Sequence, residues 1–500
     1  MNDLELLLVR FFIFIIWNNE IFDSMSYKQV LCVLLSLSTA LNTFAYNFMV
    51  DGLAYNVLSA DDKTVEVTFQ GHYGENYETL ATVNIPSSVT VPSGDTYIVV
   101  RIGDYAFYCA SSSSKTLQSI SIPSSVTEIG KQAFYGCYSV KNITIDDRNP
   151  VYKSVDNVIY SKDGAKLVDY ISGREGETYI VPNGVTSIDK WAFAGGCYNL
   201  RTLVLPYTLN YIGDEAFYYQ VSPLTIYCYA DVLPTIGKDV FNYTTTDKIS
   251  AIYVPSHLVD AYKAADQWKD HNIQNGTIAL DETSADTPTQ LRSLDGEYVY
   301  AQLNRSFVAD GAWYTLCLPF ALTADEVAES FGQCELMKLD HSQKQSEDLL
   351  YIHFNTATAV EAGTPYLFRP ASTINSPVFK GVTINMQAAT VLAPADGLVS
   401  MTGTYSPMQV PDGKWYLGPN NTLYQPQSPV NTNGFRAYFT LASSLGNKVR
   451  ARVVMNGQIS TDFDLITTDS VTARKVIEDG QVYIVRNGVR YNLQGQKIAQ

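Results

Sequence analysis

Catalysis near neutral pH needs a histidine, an activated nucleophile, paired carboxylates or a metal cluster, and this chain is poor in all but carboxylates. Its five histidines are His72, His257, His271, His341 and His353. None lies in an H-E-x-x-H or similar metal spacing, and no G-x-S-x-G, P-loop or dinucleotide fingerprint occurs. His257 and His271 flank a helical stretch and read as solvent-facing. His353 alternates with Tyr351 and Asn355, the pattern of a strand surface. Seven cysteines lack C-x-x-C or Cys/His zinc spacing. Cys109, Cys137 and Cys197 recur in one slot, which reads as a small buried apolar position. Cys317 and Cys334 remain as a pairing to check. Carboxylates number 50 against 34 Lys and Arg, for a formal charge of −16. A glycosidase-type pair is therefore available by residue type, while nucleic acid, which wants basic stripes, is disfavoured. No cofactor or metal is expected.

The elements that must position any site come from a repeated phrase. It reads Ile102-Gly-Asp-Tyr-Ala-Phe107, Ile129-Gly-Lys-Gln-Ala-Phe134, Ile188-Asp-Lys-Trp-Ala-Phe193, Ile212-Gly-Asp-Glu-Ala-Phe217 and Ile236-Gly-Lys-Asp-Val-Phe241. The phenylalanines are 27, 59, 24 and 24 residues apart. Such a period implies a solenoid whose coils bury their faces on one another. Each unit opens with a short alternating strand, as in Ile120-x-Ile122, which a proline ends. Glycine after isoleucine suits a tight bend, and the five isoleucines and five phenylalanines should line one core ladder. The 59-residue gap holds an insertion (about 146–180) in which Asp163-Gly164 turns a hairpin that projects from the solenoid edge. Residues 256–270 read as a terminal capping helix, with Ser256 as N-cap and Leu258, Tyr262 and Ala265 on one face.

Ile122-Pro-Ser-Ser-Val126-Thr-Glu-Ile129-Gly-Lys-Gln-Ala-Phe134-Tyr-Gly-Cys137 resembles the BspA-like leucine-rich repeats of bacterial surface proteins over roughly residues 50–275. Asp189 and Val240 depart from the pattern, and three extra residues precede Ile236. The resemblance implies a cell-surface role in binding a host or microbial macromolecule. The N-terminus agrees with export. Lys28, the apolar run Val30 to Leu41 and Thr43-Phe-Ala45 read as a signal peptide over residues 25–45, cleaved after Ala45. Residues 1–24 then lie upstream of the true start, and the mature chain has no membrane span.

The solenoid is assigned to residues 46–280 and a polar linker to 281–293. Residues 294–467 carry short apolar strands punctuated by proline and glycine, the grammar of a β-sandwich-like domain. Ala324 to Phe331 is the one convincing helix there. Residues 468–500 form a β tail with a hairpin across Asn487-Gly488. The phrases Trp313–Phe320 and Gly434–Phe439 resemble a module that accompanies such repeats in secreted proteins of Gram-negative anaerobes, and the tail resembles the ends of exported proteins from those bacteria. The fold class is mainly β: a leucine-rich-repeat solenoid, a β-sandwich-like domain and a short tail.

The outward strand positions Ser121, Thr144, Val204, Thr225 and Tyr253 are the candidate binding face. They are small or uncharged, and lack the acid, base or cation a catalytic strip needs. The leading expectation is a non-enzymatic recognition protein with an extracellular protein or glycan as partner. Two alternatives are a carbohydrate-binding accessory using Trp313 and Trp415, and an unrecognised hydrolase. A spacer role is a further one. Tyrosines crowd the Ala-Phe segments, among them Tyr108, Tyr135, Tyr218 and Tyr243; they serve either as a recognition surface or as rings stacked between coils.

Overall fold

The computed structural model describes residues 46–70, 77, 80–91, 93–109, 116–244, 246–347, 349–388, 390–418, 421–425, 430–445 and 450–463, and short strands at 466–467, 474–478, 481–486, 489–491 and 497–498. The expected signal peptide, its cleavage point, His72 and the Asn487-Gly488 turn lie outside the described residues. The chain divides into two compact units, residues 1–252 with 260–273, and residues 253–259 with 274–500.

In the first unit short parallel strands stack coil upon coil. Thr82–Asn84, Ser119–Ile122 and Asn142–Ile145 form one sheet. Thr178–Ile180, Thr202–Leu205, Leu224–Cys228, Ile249–Val254 and Ile273–Asn275 form another. Alternate residues such as Ile120, Ile122, Leu203 and Leu205 face inward and are buried, as period-2 patterning requires. The Ala-Phe segments stack on the other side of each coil. The Phe193 N–H donates to the Ala216 carbonyl of the next coil at 2.8 Å, and Phe217 to Val240 at 2.9 Å.

The five phenylalanines are buried, but they form two runs of rungs rather than one. Tyr77, Phe107 and Phe134 make the first, with Phe107 and Phe134 parallel at 5.7 Å. Tyr170, Phe193, Phe217 and Phe241 make the second, at 5.2, 5.3 and 5.4 Å. Tyr170 comes from the insertion, which does not project from the edge as expected. Its last strand, Lys166–Tyr170, runs parallel to Ser187–Ile188, with Leu167 opposite Ile188. The insertion is thus a shortened coil preceded by a meander, Tyr152–Val155 and Val158–Ser161. The Asp163-Gly164 turn forms as read, with the Ala165 N–H donating to Asp163 Oδ1 at 3.0 Å. Among the isoleucines, Ile102, Ile188 and Ile212 are fully buried, whereas Ile129 and Ile236 are half-buried. Their strands, Glu128–Ile129 and Thr235–Ile236, end their ladders, so one flank of each lacks a neighbour.

The terminal helix is shorter than expected. A 3-10 turn at Ser256–Leu258 leads into Val259–Ala264, and Pro255, not Ser256, holds the N-cap position. The capping work falls to residues beyond it. Trp268 meets the last rung, Phe241, edge-on at 5.5 Å, and Tyr262 packs on Trp268 at 5.0 Å. Gln267 takes the role of a further coil: Val240 N–H donates to its Oε1 at 2.7 Å and its Nε2 donates to the Gly237 carbonyl at 2.9 Å.

In the second unit the expected linker 281–293 is ordered structure. Thr287–Ser293 is a helix whose Leu291 is wholly buried, and Thr277–Asp281 pairs with Tyr298–Asn304. Polar composition hid it because only Thr287 and Leu291 of that helix turn inward. The helix Ala324–Phe331 forms as read, with a capping box between Thr323 and Glu326. A seven-stranded sheet is central, and its strand Pro365–Pro370 is buried on both faces. Tyr366 and Phe368 join one core with the helix, and Leu367 joins another with Met401 and Phe439. Two cores flank this sheet, where a two-sheet sandwich would have one between layers. Arg305 locks the unit from inside. Its Nη1 donates to the Thr315 and Phe435 carbonyls at 2.9 and 3.1 Å, and Glu282 lies between Arg305 and Arg436. In the tail, Gln481–Arg486 pairs antiparallel with Val489–Tyr491, as the hairpin reading expects.

Phe134→Ala should destabilise the chain by about 3–5 kcal/mol, the usual effect of emptying a buried aromatic site. Denaturant unfolding measures it, and a change under about 1 kcal/mol would mean that the ring is not in the core.

Candidate functional site

The solenoid offers two long surfaces, the outward side of its strands and the edge that carries the Ala-Phe segments. On the strand side, register places Asn84, Ser121 and Thr144 in one row. In the second sheet Ile180, Val204 and Tyr227 share a row, and Thr178, Thr202 and Thr225 share the next. The predicted residues therefore do not form one strip. Thr225 stands beside Thr202, and Tyr227 takes the place beside Val204. The cause is that Ile226 and Cys228, rather than Leu224 and Ile226, fill the inward slots of Leu203 and Leu205. Thr144 is exposed, and Ser121, Thr225 and Tyr253 are half-exposed. Val204 is only 4% exposed and is no contact residue; Ile180 and Tyr227 flank it on the same face.

The other edge is aromatic. Tyr105, Tyr108 and Tyr135 follow one another with ring centres 5.8 and 5.0 Å apart. Tyr135 then meets Tyr218 at 6.5 Å across the intervening coil, which carries the small Ala194 at that position. Tyr218 in turn meets Tyr243 at 5.3 Å. The rings therefore touch across coils, as the stacking reading expects, and they remain half-exposed or exposed. The backbone beneath has a fixed irregularity. The fourth residue of every phrase, Tyr105, Gln132, Trp191, Glu215 and Asp239, is left-handed, with φ between 47° and 58°. It bends the chain so that its N–H reaches the next coil, as Glu215 does to the Lys238 carbonyl at 3.0 Å. Trp191 is held in place by its Nε1–H bond to Glu215 and by Lys131 and Lys190, each 4.8 Å from the ring centre.

The residues most capable of chemistry are tied up elsewhere. His341 bonds Asp340 through Nδ1 at 2.6 Å and stacks on His353 at 4.1 Å. The adjacent Ser342 is buried on the opposite side of its strand and donates to Asp396 Oδ1 at 2.7 Å, so no Ser-His-Asp relay exists there. His271 is not solvent-facing as expected; it packs 4.4 Å from Phe241, and burial lowers its pKa. His257 is exposed. The slot of Cys109, Cys137 and Cys197 is buried as read. Burial pushes the Cys197 thiol up, while a hydrogen bond shared with Cys109, which favours the protonated thiol, and then burial do the same to Cys137, so neither is a ready thiolate. Cys317 and Cys334 are unpaired. They lie opposite Pro365 and Pro370 of one strand, roughly 17 Å apart along it, far beyond disulfide reach. Trp313 and Trp415 are both core residues; Trp313 donates to Asp462 at 3.2 Å and lies under Arg369. Neither presents a face to a sugar. Among the described residues no group of three or more His, Cys, Asp or Glu is placed to hold a metal. A cleft of about 620 Å³ in the second unit, beside the helix Ala324–Phe331, is lined mainly by apolar groups including Val327, Leu336 and Met337, and it gave no signal in the sequence.

Residues 76–162 and 174–268 match the BspA type leucine rich repeat region in six copies. The first unit is a BspA-type leucine-rich-repeat solenoid. Solved structures similar to this chain include a leucine rich cell surface protein from Faecalibacterium prausnitzii A2-165, 27% identical over 41% of this chain and 54% of that one, with a TM-score of 0.26. A leucine-rich repeat protein from Eubacterium ventriosum ATCC 27560 is 22% identical over 37% and 46%, with a TM-score of 0.27. The leucine rich repeat protein of T. pallidum is 18% identical over 45% and 92%, with a TM-score of 0.23. The chain spans about half the length of the first two. No curated protein matches it.

One half-buried carboxyl in the leucine-rich-repeat unit has a measurable consequence. Asp169 lies half-buried on the shortened coil, and its desolvation together with nearby Asp189 pushes its carboxyl up to about 8. The unfolded carboxyl ionises near about pH 4. Between those values the folded state holds the extra proton, so this group makes stability fall as pH rises from about 4 to about 8 and leaves it level outside that window. Asp169→Asn should flatten this part of the decline and raise the thermal midpoint at pH 8. An unchanged midpoint-versus-pH curve would mean that the carboxylate is solvated.

Proposed function

We propose that this chain is an exported surface protein that recognises another protein through its leucine-rich-repeat unit, without catalysis. One observation carries the reading. In-register parallel stacking sets equivalent positions of successive coils side by side, as in Thr178, Thr202 and Thr225, and so builds surfaces three to five coils long. His341 and Ser342 are bonded to carboxylates within the fold, and His271 and the repeat cysteines are buried in the solenoid or pack against its core. Surface location draws support from the repeat type. Among the described residues no helix is long and apolar enough to cross a membrane. The carbohydrate alternative loses its two anchors with the burial of Trp313 and Trp415.

Residues 46–273 produced alone should capture the same proteins from mucosal extract as residues 46–500, with affinity within about three-fold, or about 0.6 kcal/mol. Capture by residues 274–500 alone, with none by 46–273, would contradict the proposal.

A further inference from the structure

Two of the five histidines stand face to face in the second unit. His341 and His353 are opposite one another on the antiparallel strands Cys334–Lys344 and Leu349–Thr356. Their ring centres are 4.1 Å apart and the planes differ by 11°. Just before His341 the strand bulges, with Asp340 as the extra residue after Leu339. Regular alternation would send Asp340 and His341 to opposite faces, and the bulge brings them together. Asp340 Oδ2 meets His341 Nδ1 at 2.6 Å. A carboxylate only accepts, so Nδ1 carries the hydrogen, and in the neutral ring the lone pair falls on Nε2. The Nε2 of His353 is buried and, among the described residues, has no hydrogen-bond partner. A buried nitrogen without a partner is uncommon and calls for a reason.

Imidazole ligands of metal ions have this layout, with one ring nitrogen toward the ion and the other ring N–H on a carboxylate. Two nitrogens bound to one tetrahedral zinc at about 2.0–2.1 Å lie about 3.3 Å apart. The ring centres, at 4.1 Å, are already within about 1 Å of that separation. The neighbouring charges leave room for a cation. On its other side His353 adjoins Val454 of the strand Arg450–Met455, while Arg452 stands two positions along, beside Tyr351. The Lys338 ammonium is held by Glu361 at 2.7 Å. Imidazole suits zinc and copper(II) better than the oxygen-seeking calcium and magnesium. Twelve residues separate the two histidines, so only strand pairing brings them together and no short motif announces them. We propose that His341 and His353 form a two-imidazole site for zinc or copper(II), with Asp340 as its positioning residue and water in the remaining places. The site does not rest on the recognition reading above.

The test is calorimetric titration of the full chain, without a histidine tag, with zinc chloride and separately with copper(II) chloride. The tightest site should take one ion per chain, copper more tightly than zinc, and the bound ion should raise the thermal midpoint. His341→Gln and His353→Gln should each weaken that site at least ten-fold. His341 is exposed, so its variant should keep the parent's midpoint in the absence of metal and reports on binding even where His353→Gln fails to fold. Asp340→Ala should weaken binding about ten-fold, as loss of an orienting carboxylate does, and Asp340→Glu should recover part of it. A dissociation constant above about 1 mM for both ions would overturn the site and leave the stacked rings as packing alone. Undiminished binding by His341→Gln would put the ion elsewhere and overturn it too. Full affinity in Asp340→Ala would overturn the positioning role.

Discussion

The leucine-rich-repeat unit depends on coils approaching closely enough for rings and backbone to bond at once. Its ladder rings sit 5.2 to 5.7 Å apart. At that spacing the residue after each isoleucine has no room for a side chain: a Cβ on Gly130, Gly213 or Gly237 would come within 2.2 to 2.6 Å of the preceding coil. Asp104 and Asp214 use the same closeness, each accepting through Oδ1 the N–H of the next coil, from Lys131 at 3.0 Å and Lys238 at 2.7 Å. The lone exception, Asp189, follows the shortened coil, where two residues separate Leu167 from Tyr170 and four separate Ile188 from Phe193. The residues that would have collided with it are missing. Both ends of the stack close with aromatics, Tyr77 and Trp268, because an open rung would expose apolar surface.

Features written once per coil were legible in the sequence. The repeat phrase, its buried phenylalanines, the cysteine slot and the Asp163-Gly164 turn all stand where local patterning put them. So does the helix capped by Thr323 and Glu326. Features that depend on how one coil meets the next were not. Tyr170 was invisible as a rung because its coil lacks the phrase. Thr225 looked equivalent to Val204 because both sit between apolar residues, and alternation alone cannot separate registers two residues apart.

The two units solve the problem of a stable β structure differently. The first relies on repetition, with uncharged rungs and bonds passed from coil to coil. The second relies on a two-faced sheet and a buried charge network in which Glu282 faces Arg305 and Arg436. Burial, with repulsion from Arg436, pulls Arg305 down to about 9, still a cation at neutral pH. Such a network is costly to break and joins segments far apart in sequence. That the stretch around Glu282 looked like a linker shows how a polar composition can mask a residue with a structural duty.

The stack makes each coil's stability depend on its neighbour, and a double-mutant cycle between adjacent rungs measures this most directly. Phe193→Ala, Phe217→Ala and the double variant should give unfolding free energies that fail to add, with a coupling of about 0.5–1.5 kcal/mol between the rings. Additivity to within about 0.3 kcal/mol would mean that the two phenylalanines do not share an interior, and the coil-on-coil arrangement would be wrong.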